Sequence, residues 1–197
     1  EAAKAAGKDS FEFRAELLKD SPRHLAVLSK AAEESGWTRP IQQGRGRGIS
    51  LQESFGSIVA QVVEVTVIDG KLSVDRVVAV IDAGIAVAPD GIAAQLESGI
   101  IYGLTAALHG EITIENGSIA QSNFDDYKSV RMDEAPKIET HIINSGHDIG
   151  GAGEPGTPGI APALANAVFD ATGLRIRQLP LGNFDLNYQA EESGDVA

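Results

Sequence analysis

The spacing of apolar residues changes several times along the chain, and each change marks an element. Phe11, Phe13, Leu17 and Leu18 form a short apolar stripe that Asp20-Ser21-Pro22 interrupts. Ser21 followed by Pro22 suits an N-cap with proline at the first helical position. His24, Leu25, Val27, Leu28, Ala31 and Ala32 then recur at helical spacing up to Gly36, predicting two helices over residues 10–35. From Ile58 the period shortens: a β-branched run to Ile68, an Asp69-Gly70 turn and a returning run from Leu72 to Ile81 predict a long antiparallel hairpin. Ile92, Leu96, Ile100, Leu104 and Leu108 lie on one face of a helix spanning Asp90 to His109, with Asp90 as its cap. A second hairpin turns at Asn116-Gly117, a strand follows at Lys137 to Asn144, and a helix runs from Pro162 to Thr172, ended by Gly173.

Between these elements lie two glycine-rich stretches. Arg39 to Ser50, with glycines at 44, 46 and 48, reads as a flexible basic loop. Residues 145–159 read as a second, denser one. Gly99 and Gly103 lie four apart on the predicted Asp90–His109 helix, which permits close approach of a backbone or ligand there. The order of elements gives an α+β fold with antiparallel hairpins and packed helices. The expected organisation is a helical segment over 1–38, an α+β domain over 39–186 and a flexible tail over 187–197.

Composition narrows the chemistry. With 43% hydrophobic and 22% charged residues, the 197-residue chain can build a core without staples. It contains no cysteine, which excludes disulfides, thiolate metal sites and iron–sulfur ligation by this chain. A net charge of −12 argues against a nucleic-acid partner, and no apolar run reaches the roughly 20 residues of a membrane span. The start at Glu1 has neither an initiator Met nor a signal h-region, so the chain reads as the middle of a longer one, whether processed, split or truncated. The compartment, cytoplasmic or periplasmic, stays open. The four histidines show no i, i+4 pair, and no metal site is expected from them.

Candidate chemistry concentrates in Gly150-Gly151-Ala152-Gly153-Glu154-Pro155-Gly156-Thr157-Pro158-Gly159. Glycines let a backbone approach a ligand, and the proline stiffens the chain after Glu154. Two readings stand at this level: a helix-leading turn with a solvated glutamate, or a carboxylate deliberately placed. Asn166, on the apolar helix that follows, needs a hydrogen-bond partner, for which a neighbouring loop carbonyl suffices. Gln95 offers an amide acceptor and two donors, but a lone helical glutamine is weak evidence of a site. Gly44-Arg-Gly-Arg-Gly48 lacks a nucleotide-loop pattern.

The stretch from Gly150 through Asn166 to Leu181 resembles the C-terminal signature of the xanthine oxidase family of molybdenum hydroxylases. The nearest branch resembles the large subunit of isoquinoline 1-oxidoreductase and related molybdopterin aldehyde dehydrogenases. Gly7-Lys8-Asp9 with Phe13-Arg14, Pro22-Arg23-His24, Gly46-Arg47-Gly48 with Glu53-Ser54-Phe55-Gly56, and Asn123 to Tyr127 are similar too. The resemblance implies that Glu154 sits beside molybdenum as the catalytic base. It also implies that Gln95 and the loop Gly150, Gly151, Ala152 and Gly153 contact the pterin. The implied cofactor is molybdopterin, in its simple or cytosine dinucleotide form, held in the full enzyme and not by the isolated chain. The implied partners are an N-terminal molybdenum-binding half, an iron–sulfur subunit and a small-molecule substrate, an N-heteroaromatic ring or an aldehyde. This chain departs from the family at Ala83, Ala88 and Ser98, where cysteine, asparagine and glycine are usual. The alternative is a non-catalytic structural or interaction domain of the same fold without cofactor.

Overall fold

A computed structural model describes residues 1–187; residues 188–197, which hold nearly all of the expected tail, lie outside the described residues. Three helices, α1 (Ala2–Ala5), α2 (Ser10–Leu17) and α3 (Pro22–Ser35), precede three strands, β1 (Arg45–Ser54), β2 (Ser57–Ile68) and β3 (Lys71–Asp82). Helix α4 (Pro89–Leu108), a two-residue hairpin β4 (Ile114–Glu115) and β5 (Ser118–Ile119), strand β6 (Lys137–Ile143) and helix α5 (Ile160–Thr172) follow. No described helix is long and apolar enough to cross a membrane.

The main sheet has the order β1-β2-β3-β6, antiparallel except for β3 and β6, which run parallel and are joined through α4. It lies between two helical layers. On one face, Val27, Leu28 and Ala31 of α3 pack against Ile49, Ile58, Ala60, Val62, Val78 and Val80. On the other, α4 and α5 bury Leu96, Ile100, Leu104, Leu164 and Val168 against Val59, Val63, Val77 and Ile81. Strands covered on both faces need apolar residues at successive positions, which accounts for the nearly continuous Val/Ile runs of β2 and β3. A bulge pairs Val65 with Val74 and Glu64 with Arg76, leaving Asp75 extra. That extra residue keeps Val74 on the same face as Val77 despite their odd spacing.

Most predicted elements are present. The Asp69-Gly70 turn takes φ of 49° and 72°, the left-handed pair a tight hairpin demands. Two expectations are corrected. The basic stretch from Arg45 is strand β1, paired with β2 from Arg45–Thr66 to Ser54–Ser57, not a flexible loop. Gly46 and Gly48 are buried there because α5 lies directly on them. A Cβ on Gly46 would stand 2.1 Å from the Ala167 carbonyl oxygen, and one on Gly48 2.1 Å from that of Ala163. The glycines therefore serve helix–strand contact instead of flexibility. The second correction is at α4, whose cap is Ala88 with Pro89 at N1, so Asp90 falls in the first turn and is not the cap. Ser21 is at the N-cap of α3 but makes no side-chain capping bond, whereas Asp9 caps α2 by accepting from Phe11 N and Glu12 N.

Candidate active-site loop

Arginines tie the helical layer to the sheet. Arg47 donates to Glu64 Oε1 at 2.9 Å and to the carbonyls of Gly36 and Trp37 at 3.1 and 2.8 Å, covering the open end of α3. Arg76 reaches Glu139 Oε2 at 2.7 Å and the carbonyls of Ser35 and Glu34 at 3.2 Å each. Hydrogen bonds from Arg76 and then Lys137 hold the Glu139 carboxyl at about 2.

A second ionic centre lies at the end of β3. Asp82, 1% exposed, accepts from Arg23 Nε at 2.7 Å, Ser145 Oγ at 2.7 Å and Gly84 N at 2.8 Å. Burial would raise its pKa, but hydrogen bonds from Arg23, Ser145 and Gly84, with the arginine's charge, outweigh it and hold the carboxyl below its ordinary value. Arg23 also donates to the Gly56 carbonyl, and His24 Nε2 meets Glu53 Oε2 at 2.9 Å. The motifs Pro22-Arg23-His24, Glu53 to Gly56 and Asp82-Ala83-Gly84, far apart in the chain, thus meet in one place. Gly84 has φ of 78°, and a Cβ there would lie 2.1 Å from the Asp148 carbonyl oxygen, so the start of the 145–159 loop lies tightly over this centre.

The rest of that loop is fixed by side chains of β1 and β2. Their α5-facing positions, Gly46, Gly48, Ser50 and Gln52 with Ser57 and Gln61 opposite, follow from the register. Glycine occupies this face where the body of α5 rests; a hydrogen-bonding side chain occupies it where the loop leading into α5 rests. Ser57 Oγ donates to Gly151 O at 2.6 Å, Gln52 Nε2 to Pro155 O at 2.7 Å, Gln61 Nε2 to Gly156 O at 2.7 Å and Ser50 Oγ to Gly159 O at 2.7 Å. Gly150 N donates to Ala83 O at 3.0 Å and Gly151 N to Phe55 O at 2.8 Å. Gln61 is fully buried, and its Oε1 has no partner among the described residues. On the other side Gly156 and Thr157 lie against Gly99, and Thr157 and Ile160 against Gly103, as the glycine spacing on α4 requires.

Glu154 stands between these anchors. Its backbone is held by the bonds to Gly151 and Pro155 on either side and by Thr157 N donating to its own carbonyl at 2.9 Å, while its side chain is exposed. Gly150 and Gly151 have spent their N–H groups inside the chain, and the side where a Cβ would stand is filled by Gly56 and Ser57 for Gly150 and by Phe55 for Gly151. Ala152 and Gly153 N–H have no partner among the described residues, and a Cβ on Gly153 would meet nothing within 4 Å. Gln95 is exposed on α4, one residue before Leu96, whose carbonyl oxygen would lie 2.7 Å from a Cβ on Gly156. Asn166 donates to the Ile49 carbonyl of β1 at 3.2 Å, a strand carbonyl where a loop carbonyl was expected. Gln95 supplies an amide donor and acceptor, Ala152 and Gly153 supply main-chain donors and Glu154 an exposed carboxylate, a set whose chemistry suits a pterin. Ser50, Gln52, Ser57 and Gln61 were not singled out from sequence. The available signal was Gln61 itself, polar and on the inward phase of an otherwise apolar strand.

With the fold and loop in place, comparison with known proteins defines the class. Residues 13–136 match the family model of the molybdopterin cofactor-binding domain, and the chain belongs to that family, a domain of xanthine oxidase-type enzymes. Glu154 lies beyond the matched stretch, but the alignments to individual relatives are longer. The chain is 35% identical to the beta subunit of isoquinoline 1-oxidoreductase from Brevundimonas diminuta, over 91% of this chain and 24% of that one. It is 33% identical to a subunit of nicotinate dehydrogenase from Pseudomonas putida, over 92% of this chain and 17% of that one. Among solved structures, CO dehydrogenase from Oligotropha carboxidovorans superposes with TM-score 0.55 at 27% identity, covering 63% of this chain and 17% of that one. The chain therefore spans a quarter or less of these curated relatives.

Proposed function

We propose that the chain is part of a molybdopterin-dependent oxidoreductase that hydroxylates an N-heteroaromatic ring or oxidises an aldehyde, with water as the oxygen source. The observation that carries this reading is the fourfold pinning of the 150–159 loop to Ser50, Gln52, Ser57 and Gln61, which fixes the backbone around an exposed Glu154. A solvated turn needs no such scaffold; a catalytic carboxylate does, because its value depends on position. When bound, the cofactor supplies a two-electron acceptor and a Lewis acid. The Glu154 carboxylate takes a proton from water at the reacting centre and returns it to solvent, so its ionised form is the working one. Gln95 hydrogen-bonds the pterin edge, and Ala152 and Gly153 offer main-chain donors to it.

The remaining length of the relatives' chains corresponds to the partner half that completes the cofactor site, and electrons leave through an iron–sulfur subunit. This chain has no cysteine to hold a cluster. Copurification with the neighbouring subunits tests the reading. Stoichiometric molybdenum, a releasable pterin and oxidation of an N-heteroaromatic or aldehyde substrate are expected; a stable complex lacking molybdenum and pterin would make the chain a structural domain of the same fold.

A further inference from the structure

A cavity of about 700 Å³ opens between α1–α2 on one side and β1–α5 on the other, within the size range of small-molecule sites. Glu154 does not line it, so it is separate from the proposed active-site loop. Its walls carry both charges, and each carboxylate accepts at least one hydrogen bond, Glu1 from a cation and Asp9 and Asp170 from neutral N–H groups. Glu1 pairs with Arg177 at 2.9 Å, Asp170 Oδ2 accepts from Arg47 N at 2.9 Å, and Asp9 accepts from Phe11 N, Glu12 N and Trp37 Nε1. Two cations are also satisfied: Lys8 by Glu16 and Arg47 by Glu64.

Three cations on the same wall are not. Among the described residues Arg14 donates only to Ser10 O of its own helix, at 2.9 Å. Arg175 donates, among the described residues, only to the neutral Oδ1 of Asn166, at 3.3 Å, and stacks on Phe169 at 3.3 Å from the ring centroid. Lys4 sits 4.5 Å from the same centroid. None has a carboxylate partner among the described residues. Burial is the leading effect on both arginines and pulls each below its ordinary value, outweighing the opposite charges of Asp9 on Arg14 and Glu1 on Arg175. Three cations without a bonded carboxylate among the described residues thus face one cavity, in a chain whose net charge is −12. Phe13 and Trp37, also in the lining, give an apolar wall for an organic body.

We propose that this cavity binds a small organic oxyanion, its carboxylate or phosphate held by Arg14, Arg175 and Lys4 and its apolar part against Trp37 and Phe13. Guanidinium groups match planar and tetrahedral oxyanions alike, so the probes must separate the two sources. Trp37 is the single tryptophan of the chain and reports occupancy directly. Its fluorescence is titrated with inorganic phosphate and, separately, with benzoate, at constant ionic strength set by sodium chloride. A saturable change is expected for at least one, the tighter naming the class. Arg175→Gln and Lys4→Ala each raise that Kd about tenfold, whereas Lys71→Ala, outside the cavity, leaves it unchanged. Lys4 is exposed, so its variant tests the site without threatening the fold. Absence of saturation by either probe up to about 10 mM, or a Kd indifferent to Lys4→Ala, overturns the proposal.

Discussion

At the residue scale, the same chemistry serves opposite purposes at different positions. Gly46 and Gly48 lie in extended backbone and matter because α5 touches them; Gly84 and Gly70 matter for their positive φ. Gly48→Ala must displace the Ala163 carbonyl, an overpacking that costs about 1–3 kcal/mol, read as a lower urea midpoint with unchanged slope. A midpoint within error of the parent would mean that α5 does not rest on β1 as described. Arg23 carries a larger charge. Removing it leaves Asp82 buried, still accepting from Ser145 and Gly84 but stripped of its cation. Arg23→Ala is expected to destabilise by about 3 kcal/mol. Arg23→Ala/Asp82→Ala together should recover part of that loss, which chemical denaturation of these two variants beside the parent will measure.

Elements whose identity is local were legible from sequence. The β2–β3 hairpin rests on two β-branched runs and a turn needing left-handed φ, and α4 on one apolar stripe; both are local signals. Strand β1 was not legible, because its glycines argue against a strand until α5 is known to lie on them. The cap of α4 was misplaced by two residues since Pro89 already supplies the preorganised first position. For the loop, the glutamate, the glycines and the proline pointed to a site, but not the four side chains that hold it, which are remote in sequence. Gln61 illustrates the dependence. Gln61→Leu removes the orphaned Oε1 but leaves the buried Gly156 carbonyl without its donor, so the stability cost should stay within about 1–3 kcal/mol. Main-chain hydrogen exchange at Gly156 and Thr157 should nevertheless accelerate, reporting a loosened loop, whereas unchanged exchange would show that the remaining three anchors suffice.

At the scale of the whole molecule, acid stability follows from the depressed carboxyls. Glu139, held at about 2 against an ordinary 4.5, contributes stability that is complete above 4.5 and is lost as pH falls toward 2; Asp82 acts in the same direction. Thermal melting across that range should fall steeply for the parent and less so for Arg76→Gln, which removes the main cause of the Glu139 shift. A parallel fall in both would exclude the pair as its source. The chain spans only 24% of the isoquinoline 1-oxidoreductase relative and 17% of the nicotinate dehydrogenase relative, and under the proposed function the rest of the enzyme completes the cofactor site. The isolated chain is expected to bind no molybdenum after exposure to the cofactor, and tight binding would contradict this. The most direct measurement is Glu154→Gln in the assembled enzyme, with turnover and molybdenum content determined on the same preparation. Turnover should fall by about 10²–10⁴-fold while molybdenum stays at the parent level; near-normal turnover with full metal would remove Glu154 from the chemistry.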